Sequence, residues 1–417
     1  MAKQFLNDVL SIIKPTSDEL AKELHFANGL IKRIQANAPK NSEVVLTGSV
    51  AKCTFLRDQR DVDIFVLFDR SMQKEKLEST IKYILESTFP KIGYQVSYAE
   101  HPYVRFHFEG RRIDLVPAYK ISKAAERISA VDRSVLHTKF VKKHLKAKQR
   151  DEVLLLKQFL KANSVYGAEI KIAGFSGYLC ELLIIKYGTF MKLLQHASNW
   201  KEPIFIDLQN YYKKKRPPQF DFFTVIDPTD KNRNVAAAVS RDNFKKFTKL
   251  CKTFLKKPSK TAFLKKPETF EQKLSKTKGK TIFTISMPRP DVVDDVLWGQ
   301  LHRMMKQLNL HLKDFKPKKI FADDTRHIIR IAVVLSLSKL PSKMLIEGPP
   351  LKMKPHIKAF RNKHKRARFI KRKNKIYAEV NNPMTKPESA IQHFFKHFNK
   401  SKSHLAYPEE MFILERQ

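Results

Sequence analysis

The run Gly48-Ser49-Val50-Ala51-Lys52-Cys53-Thr54 is followed, with eleven residues between Ser49 and Asp61, by Asp61-Val62-Asp63, and a further aspartate stands alone at Asp114 in RIDLV. In a strand, residues i and i+2 share a face, so Asp61 and Asp63 are expected to point one way while Val62 and Ile64 face a core. Two adjacent carboxylates repel, and on one face they call for a cation between them. Mg2+ suits hard oxygen ligands and also binds substrate phosphates. Asp114 is a third acid with apolar neighbours on both sides. Three strand-borne carboxylates make a two-metal site for in-line phosphoryl or nucleotidyl transfer. A strand ending in Gly48-Ser49 can turn a backbone N–H and a hydroxyl toward a phosphate, and Lys52 is near enough to add charge. A DxD pair alone arises by chance about once or twice in a chain of this length. Its combination with Gly-Ser before it and a distal strand aspartate after it carries the signal.

These residues need a mixed scaffold. Residues 4–37 read as two helices interrupted by Pro15, with capping-box spacing at Thr16-Ser-Asp-Glu19. Glu43–Leu46 and Asp61–Phe68 read as strands, Lys74–Ser87 as a helix, and Tyr103–Phe108 and Arg111–Val116 as a hairpin turning at Glu109-Gly110. Residues 1–138 are therefore expected to form an α/β head. Residues 139–257 read as mainly helical, with Asp151–Ala162 and Tyr178–His196 carrying helix-spaced Leu and Ile. From 258 to 350, strand Thr281–Met287, helix Asp294–Phe315 and strands Lys319–Ala322 and Ile328–Leu337 predict a small α+β sandwich. A basic tail, 351–417, ends in a helix over Ser389–Ser401.

Of 417 residues, 81 are Lys or Arg and 41 Asp or Glu, a net charge of +40 that neutral small-molecule metabolism does not need and a polyanion-binding protein does. An apolar fraction of 42% excludes a disordered chain. The three cysteines form no CxxC, zinc or disulfide pattern, which fits a reducing cytoplasm. No apolar run reaches the roughly 18 residues of a membrane span, and no signal-peptide pattern is read.

The Gly-Ser, DxD and distal-aspartate pattern resembles the polymerase-β-like nucleotidyltransferase superfamily. The segments GFSGYLCELL (174–183), DPTDKNRNVAAAV (227–239), Arg289-Pro-Asp-Val-Val293 and Glu347-Gly-Pro-Pro350 resemble the archaeal, class I, CCA-adding enzymes. That resemblance implies an α+β, multidomain fold: a palm-like catalytic head, a helical neck, an RRM-like α+β body and a basic tail that grips tRNA. It implies that a tRNA 3′ hydroxyl attacks the α-phosphate of CTP or ATP, so that C, C and A are added without a nucleic-acid template and pyrophosphate leaves.

Carried over residue by residue, the resemblance implies metal and catalytic roles for Asp61, Asp63 and Asp114, which would hold two Mg2+ ions. It implies nucleotide contacts for Ser49, Lys52, His137, Lys157, Tyr166 and Arg233, with Arg233 near the base edge. Lys52 stands where the family usually has Arg, which keeps the charge and loses the bidentate fork. Cys53 stands where Gly is common. Without the resemblance, His137 reads as a surface histidine beside a basic run, and Arg233 as a loop arginine capping an Ala-rich helix. Cys180 and Cys251 read as core.

Lys352–Lys375 contains twelve Lys or Arg and no acid, with Phe360 and Phe369 interleaved. Such density suits the phosphates of a tRNA acceptor stem and 3′ end, which are read by shape and backbone. Lys363, Lys365, Arg366 and Arg368 form its densest part. No membrane partner is expected, and a homodimer is left open. The rival expectations are another nucleotidyltransferase, such as a poly(A)-adding enzyme, and a non-catalytic RNA-binding protein.

Overall fold

Pro15 cannot continue a helix, and the chain breaks there into α1 (Ala2–Ile13) and α2 (Ser17–Asn37). Thr16 accepts from the Glu19 N–H while the Glu19 carboxylate accepts from the Thr16 N–H, the reciprocal cap that its spacing predicts. The computed structural model describes residues 2–98, 102–213, 215–277, 281–398, 403–406 and 412–416. It packs as two compact units, Met1–Pro267 and Glu268–Gln417.

In the first unit, β1 (Glu43–Thr47) runs directly into the one-turn helix α3 (Gly48–Lys52). Then come β2 (Val62–Phe68), α4 (Leu77–Thr88), β3 (Tyr94–Tyr98), β4 (Pro102–Phe108) and β5 (Arg111–Tyr119). The sheet order is β1-β2-β5-β4-β3, with β2 and β5 parallel and the other neighbours antiparallel. Glu109 and Gly110 both take positive φ, as a two-residue hairpin turn between β4 and β5 requires. Ile64, Val66, Ile113 and Leu115 are fully buried beneath α2 and α4. The strand begins at Val62 rather than Asp61, so Asp61 sits just outside the ladder.

A helical layer follows: α5 (Arg133–His144), α6 (Ala147–Ala162), α7 (Gly177–Tyr187) and α8 (Phe190–Ala197). The single segment expected over 178–196 is two helices, because Gly188 takes φ +88° and Thr189 caps a new start. A three-stranded sheet that the sequence reading missed stands beside them: β6 (Ile204–Asp207), β7 (Phe223–Asp227) and β8 (Asp230–Asn234). The alanines after it form turns, not the Ala-rich helix considered for Arg233. Next, α9 (Arg241–Lys256) and α10 (Thr261–Leu264) close a core of interlocked phenylalanines, with Phe159, Phe190, Phe254 and Phe263 in mutual contact.

The second unit opens with α11 (Phe270–Ser275), β9 (Thr281–Pro288), α12 (Asp294–His311), β10 (Pro317–Asp324), β11 (Ile328–Leu335) and β12 (Lys343–Pro350). It continues with α13 (Lys354–Lys363), β13 (Arg368–Arg372), β14 (Lys375–Asn381), α14 (Pro387–Phe398) and β15 (Ile413–Arg416). The main sheet has the order β10-β11-β9-β15, with α12 and α14 packed on a shared core. Counting only those elements gives β-α-β-β-α-β, the RRM-like arrangement.

Its last helix and strand come from residues expected in the tail. The expected cut at 350 therefore runs through one packed unit, and the cut at 257/258 falls before α10 rather than after Pro267. Of the helix expected over 389–401, residues 399–401 lie outside the described residues. The basic run is folded: α13, β13 and β14 pack with β12 into a small sheet-and-helix module. Phe360 and Phe369 meet edge to face at 6.2 Å inside it.

Candidate active site

Parallel register places Asp63 of β2 directly opposite Asp114 of β5. On its other side Asp114 faces Arg105 of β4, whose guanidinium donates to both carboxylate oxygens at 2.7 and 2.8 Å. Asp61, half-exposed before the strand, pairs with Arg112. Among the described residues Asp63 has no such arginine partner. Burial, then the charges of Asp114 and Asp61, push its carboxyl up to about 6.

Among the described residues no three acids stand ready-turned to hold a metal, and two of the three carboxylates pair with arginines. The donor set nevertheless fits a divalent cation. Its ligands are hard oxygens, and Asp63 stands opposite Asp114 and near Asp61, negative charges that such a cation would neutralise.

Gly48 explains how the loop reaches this face. It takes φ +68°, and a Cβ there would lie 1.8 Å from Asp63 Oδ2. Only a residue without a side chain lets the backbone close on that carboxylate. Ser49 follows in the first turn of α3, and its carbonyl accepts from the N–H groups of Cys53 and Thr54. Cys53 ends the helix at φ +55°, a left-handed conformation more readily adopted by glycine.

Lys52 and Lys157 lie deep under the loop rather than at an open phosphate site. Lys52 Nζ donates to Glu181 Oε2 at 2.6 Å. Lys157 of α6 donates to the Thr54 carbonyl at 2.7 Å and stands 3.7 Å from Glu181 Oε1. Thr54 Oγ1 donates to the same Oε1 at 2.6 Å. Burial pulls the Lys157 ammonium below its usual range; burial also opposes the Glu181 charge, but the two lysines outweigh it and hold that carboxyl low. Glu181 was not singled out as a site residue. Inside the apolar helix segment GYLCELLIIK, an acid is the signal that could have exposed it. Tyr166 closes the same cluster: a Cβ on Gly177 would lie 3.2 Å from its hydroxyl and 3.5 Å from Lys157 Nζ.

Tyr178, one residue on in α7, links this cluster to a third. The Lys52 ammonium lies 5.9 Å from its ring, and His137 stacks on it at 4.1 Å between centroids. His137 Nε2 lies 2.8 Å from Asp227 Oδ2; because a carboxylate only accepts, Nε2 donates. Burial lowers the His137 pKa, so the ring is a neutral donor at neutral pH. Arg233 Nη1 donates to the same oxygen at 3.0 Å, and Tyr178 and Thr229 donate to the other. Burial works against the Asp227 charge, yet His137, followed by Thr229, holds its carboxyl well below the usual range. Arg233 also borders an open pocket of about 450 Å³ lined by Arg127, Arg133, Asp230 and Asn232.

Thus Ser49, Lys52, Asp61, Asp63, Asp114, His137, Lys157, Tyr166 and Arg233 all fall in the first unit. Contacts link the Lys52–Lys157–Glu181 cluster through Tyr178 to Arg233. Lys363, Lys365, Arg366 and Arg368 lie in the second unit, all exposed around a pocket of about 510 Å³ at the turn from α13 into β13.

The sequence matches three family models: a nucleotidyltransferase domain over residues 27–137, the second domain of tRNA nucleotidyltransferase over 151–264, and the C-terminal domain of the CCA-adding enzyme over 278–404. It is 38% identical to a protein of Methanocaldococcus jannaschii named CCA-adding enzyme, over 90% of this chain and 85% of that one. A protein of the same name from Archaeoglobus fulgidus is 32% identical over 94% and 89% of the two chains. Among solved structures, the Cid1 poly(U) polymerase aligns with 63% of this chain and 98% of its own at a TM-score of 0.49 and 14% identity.

Proposed function

The chain belongs to the archaeal CCA-adding enzymes, tRNA nucleotidyltransferases of the polymerase-β-like superfamily, and from that membership we propose that it adds C, C and A to the 3′ end of tRNA, taking CTP and ATP and releasing pyrophosphate. The observation that carries this reading is the opposition of Asp63 and Asp114 across the β2–β5 ladder, with Gly48 closed against Asp63. No helix among the described residues is long and apolar enough to cross a membrane; the cytoplasmic setting is proposed from the family membership alone.

Residues 1–138 act as the catalytic head. Asp61, Asp63 and Asp114 would hold two Mg2+ ions, which when bound supply Lewis acidity to the α-phosphate and charge neutralisation to the leaving pyrophosphate. Arg105 and Arg112 supply the counter-charge when the ions are absent. The backbone and hydroxyl of Ser49, at the start of α3, take a phosphate oxygen. Lys52 and Lys157 present charge from below to the triphosphate, and Tyr166 fixes the floor beside Lys157. In the reaction the tRNA 3′ hydroxyl gives up its proton to water as its oxygen bonds to the α-phosphorus, the bond from that phosphorus to the α–β bridging oxygen breaks, and pyrophosphate leaves with that bond's electron pair.

Residues 139–267 form the neck. There Asp227 orients Arg233 toward the base edge, with His137 stacked on Tyr178 beside it. A guanidinium fixed by a carboxylate presents its remaining N–H groups in one direction, which is what discrimination between base edges demands. The RRM-like body and the basic module grip the acceptor stem through phosphates, so that every tRNA is served alike. The test is incubation with tRNA lacking its 3′ end, each nucleotide supplied separately and the products sized. CTP alone should add two residues, CTP with ATP three, and extension should then stop. Unlimited extension with ATP alone would instead identify a poly(A)-adding enzyme.

A further inference from the structure

The two lysines assigned to the triphosphate are almost fully enclosed, and a charge inside a protein is costly unless it is paired. Lys52 and Lys157 come from different elements, α3 and α6, and would repel each other. Between them stands Glu181, fully buried on α7. One of its oxygens takes the Lys52 ammonium, and the other takes the Thr54 hydroxyl and faces Lys157.

We infer that Glu181 is a positioning residue for nucleotide binding: its carboxylate stands between the two enclosed ammonium groups and holds them as one unit beneath the triphosphate. This inference rests on the proposed function, since it takes the ligand of the two lysines to be a nucleoside triphosphate.

The groups facing Lys157 limit the alternatives. From the turn after α3 come the Thr54 carbonyl and hydroxyl; from α3 itself, the charge of Lys52. From α7 come Glu181 and Cys180, whose thiol burial pushes up to about 12, so it is neutral. From the chain after α6 comes Tyr166, also kept neutral by burial. Glu181 is therefore the negative charge among these neighbours. One carboxylate against two ammoniums leaves a surplus of one positive charge, available to a polyanion. Without the carboxylate the surplus is two, and the more enclosed lysine sheds its proton instead.

Glu181→Gln keeps the shape and the hydrogen bond from Thr54 while removing the charge. The experiment uses the full chain, tRNA lacking its 3′ end and CTP as the varied substrate, from about pH 7 to about pH 9, below the ~10.4 at which an ordinary lysine titrates. The expected result is a KM for CTP raised at least about tenfold and climbing with pH, against a flat profile for the parent. The tRNA affinity should be unchanged. Glu181→Asp, which retains the charge on a shorter arm, should show a raised KM with a flat profile. A Gln variant with the parent's KM and pH profile, or one that loses only kcat, would overturn the inference.

Should Glu181→Gln fail to fold, 13C NMR of ε-labelled lysines in the intact protein decides, with Lys157→Arg used to assign the signal. A Lys157 signal that is charged at neutral pH and moves on CTP addition supports the role; one that is already uncharged there, or ignores CTP, overturns it. If the parent extends no tRNA with CTP at all, it is the proposed function that fails, while the NMR result still reports on the Glu181 pair.

Discussion

Asp63 and Asp114 stand directly opposite each other on adjacent parallel strands, while Arg105 grips Asp114 from the far side. Two like charges held at matched positions raise each other's cost of ionisation, and the arginine relieves one of them. Asp63 is left with the burden.

This has a consequence for stability. Burial, then Asp114 and Asp61, raise the Asp63 carboxyl to about 6 in the folded chain, above the ~3.9 of an unfolded aspartate. Between those values the native state binds more protons than the unfolded state, so stability falls as pH rises through that window and stays reduced above it. In chelator, Asp63→Asn should therefore be more stable than its parent at neutral pH by about 2–3 kcal/mol, and the advantage should vanish below about pH 4. Mg2+ should narrow the gap. Urea titrations across the pH range check this, and a parent as stable as the variant at neutral pH would contradict it.

Gly48→Ala should abolish nucleotide addition. The new Cβ would overlap the Asp63 carboxylate and strain a backbone at φ +68°. The fold should survive with a loss of about 1–3 kcal/mol, since the conflict is confined to one turn. Circular dichroism and a single-turnover extension assay separate the two effects; an active Gly48→Ala would show that the loop need not close on Asp63.

The carboxylate face was legible in the sequence because period-2 alternation and a lone strand aspartate are local signals, and the Thr16–Glu19 cap and the Glu109-Gly110 turn are local too. What was not legible depends on long-range pairing. Glu181 meets Lys52 across 129 positions of sequence separation, and nothing in its own helix names that partner. The short strands β6–β8 pair in part with parallel register and carry no hairpin signal at the β6–β7 step. Lysines and arginines hid β13 and β14, whose alternation of Phe369, Ile376 and Ala378 is diluted by charge. The β15 strand could not be foreseen as the partner of β9, because only the closed sheet explains it.

Arg233→Ala should damage nucleotide choice more than triphosphate binding. Asp227 keeps His137, Tyr178 and Thr229 as donors, so the neck should stay folded. Loss of a base-edge donor is worth about 1–3 kcal/mol of discrimination. Incorporation of each nucleotide is measured at saturating tRNA; an equal fall for C, A, U and G would remove Arg233 from base reading.

Neutralising Lys363, Lys365, Arg366 and Arg368 together should weaken tRNA binding while leaving the C-then-A order intact. All four are exposed in the second unit, and the residues proposed for base choice lie in the first. Each lost phosphate contact should lower the salt slope by roughly 0.7–0.9. Binding at several salt concentrations checks this, and an unchanged slope would place the grip on tRNA elsewhere.

The most direct measurement is pyrophosphate release from Asp114→Ala and its parent, with Mg2+, CTP, ATP and tRNA lacking its 3′ end, alongside tRNA affinity. The parent should extend the tRNA by C, C and A with one pyrophosphate per addition. Asp114→Ala should release none while binding tRNA within about twofold of the parent, because phosphate contacts on the basic surface, not the carboxylates, supply that affinity. Near-normal pyrophosphate release from Asp114→Ala would contradict the placement of the chemistry on the Asp63–Asp114 face.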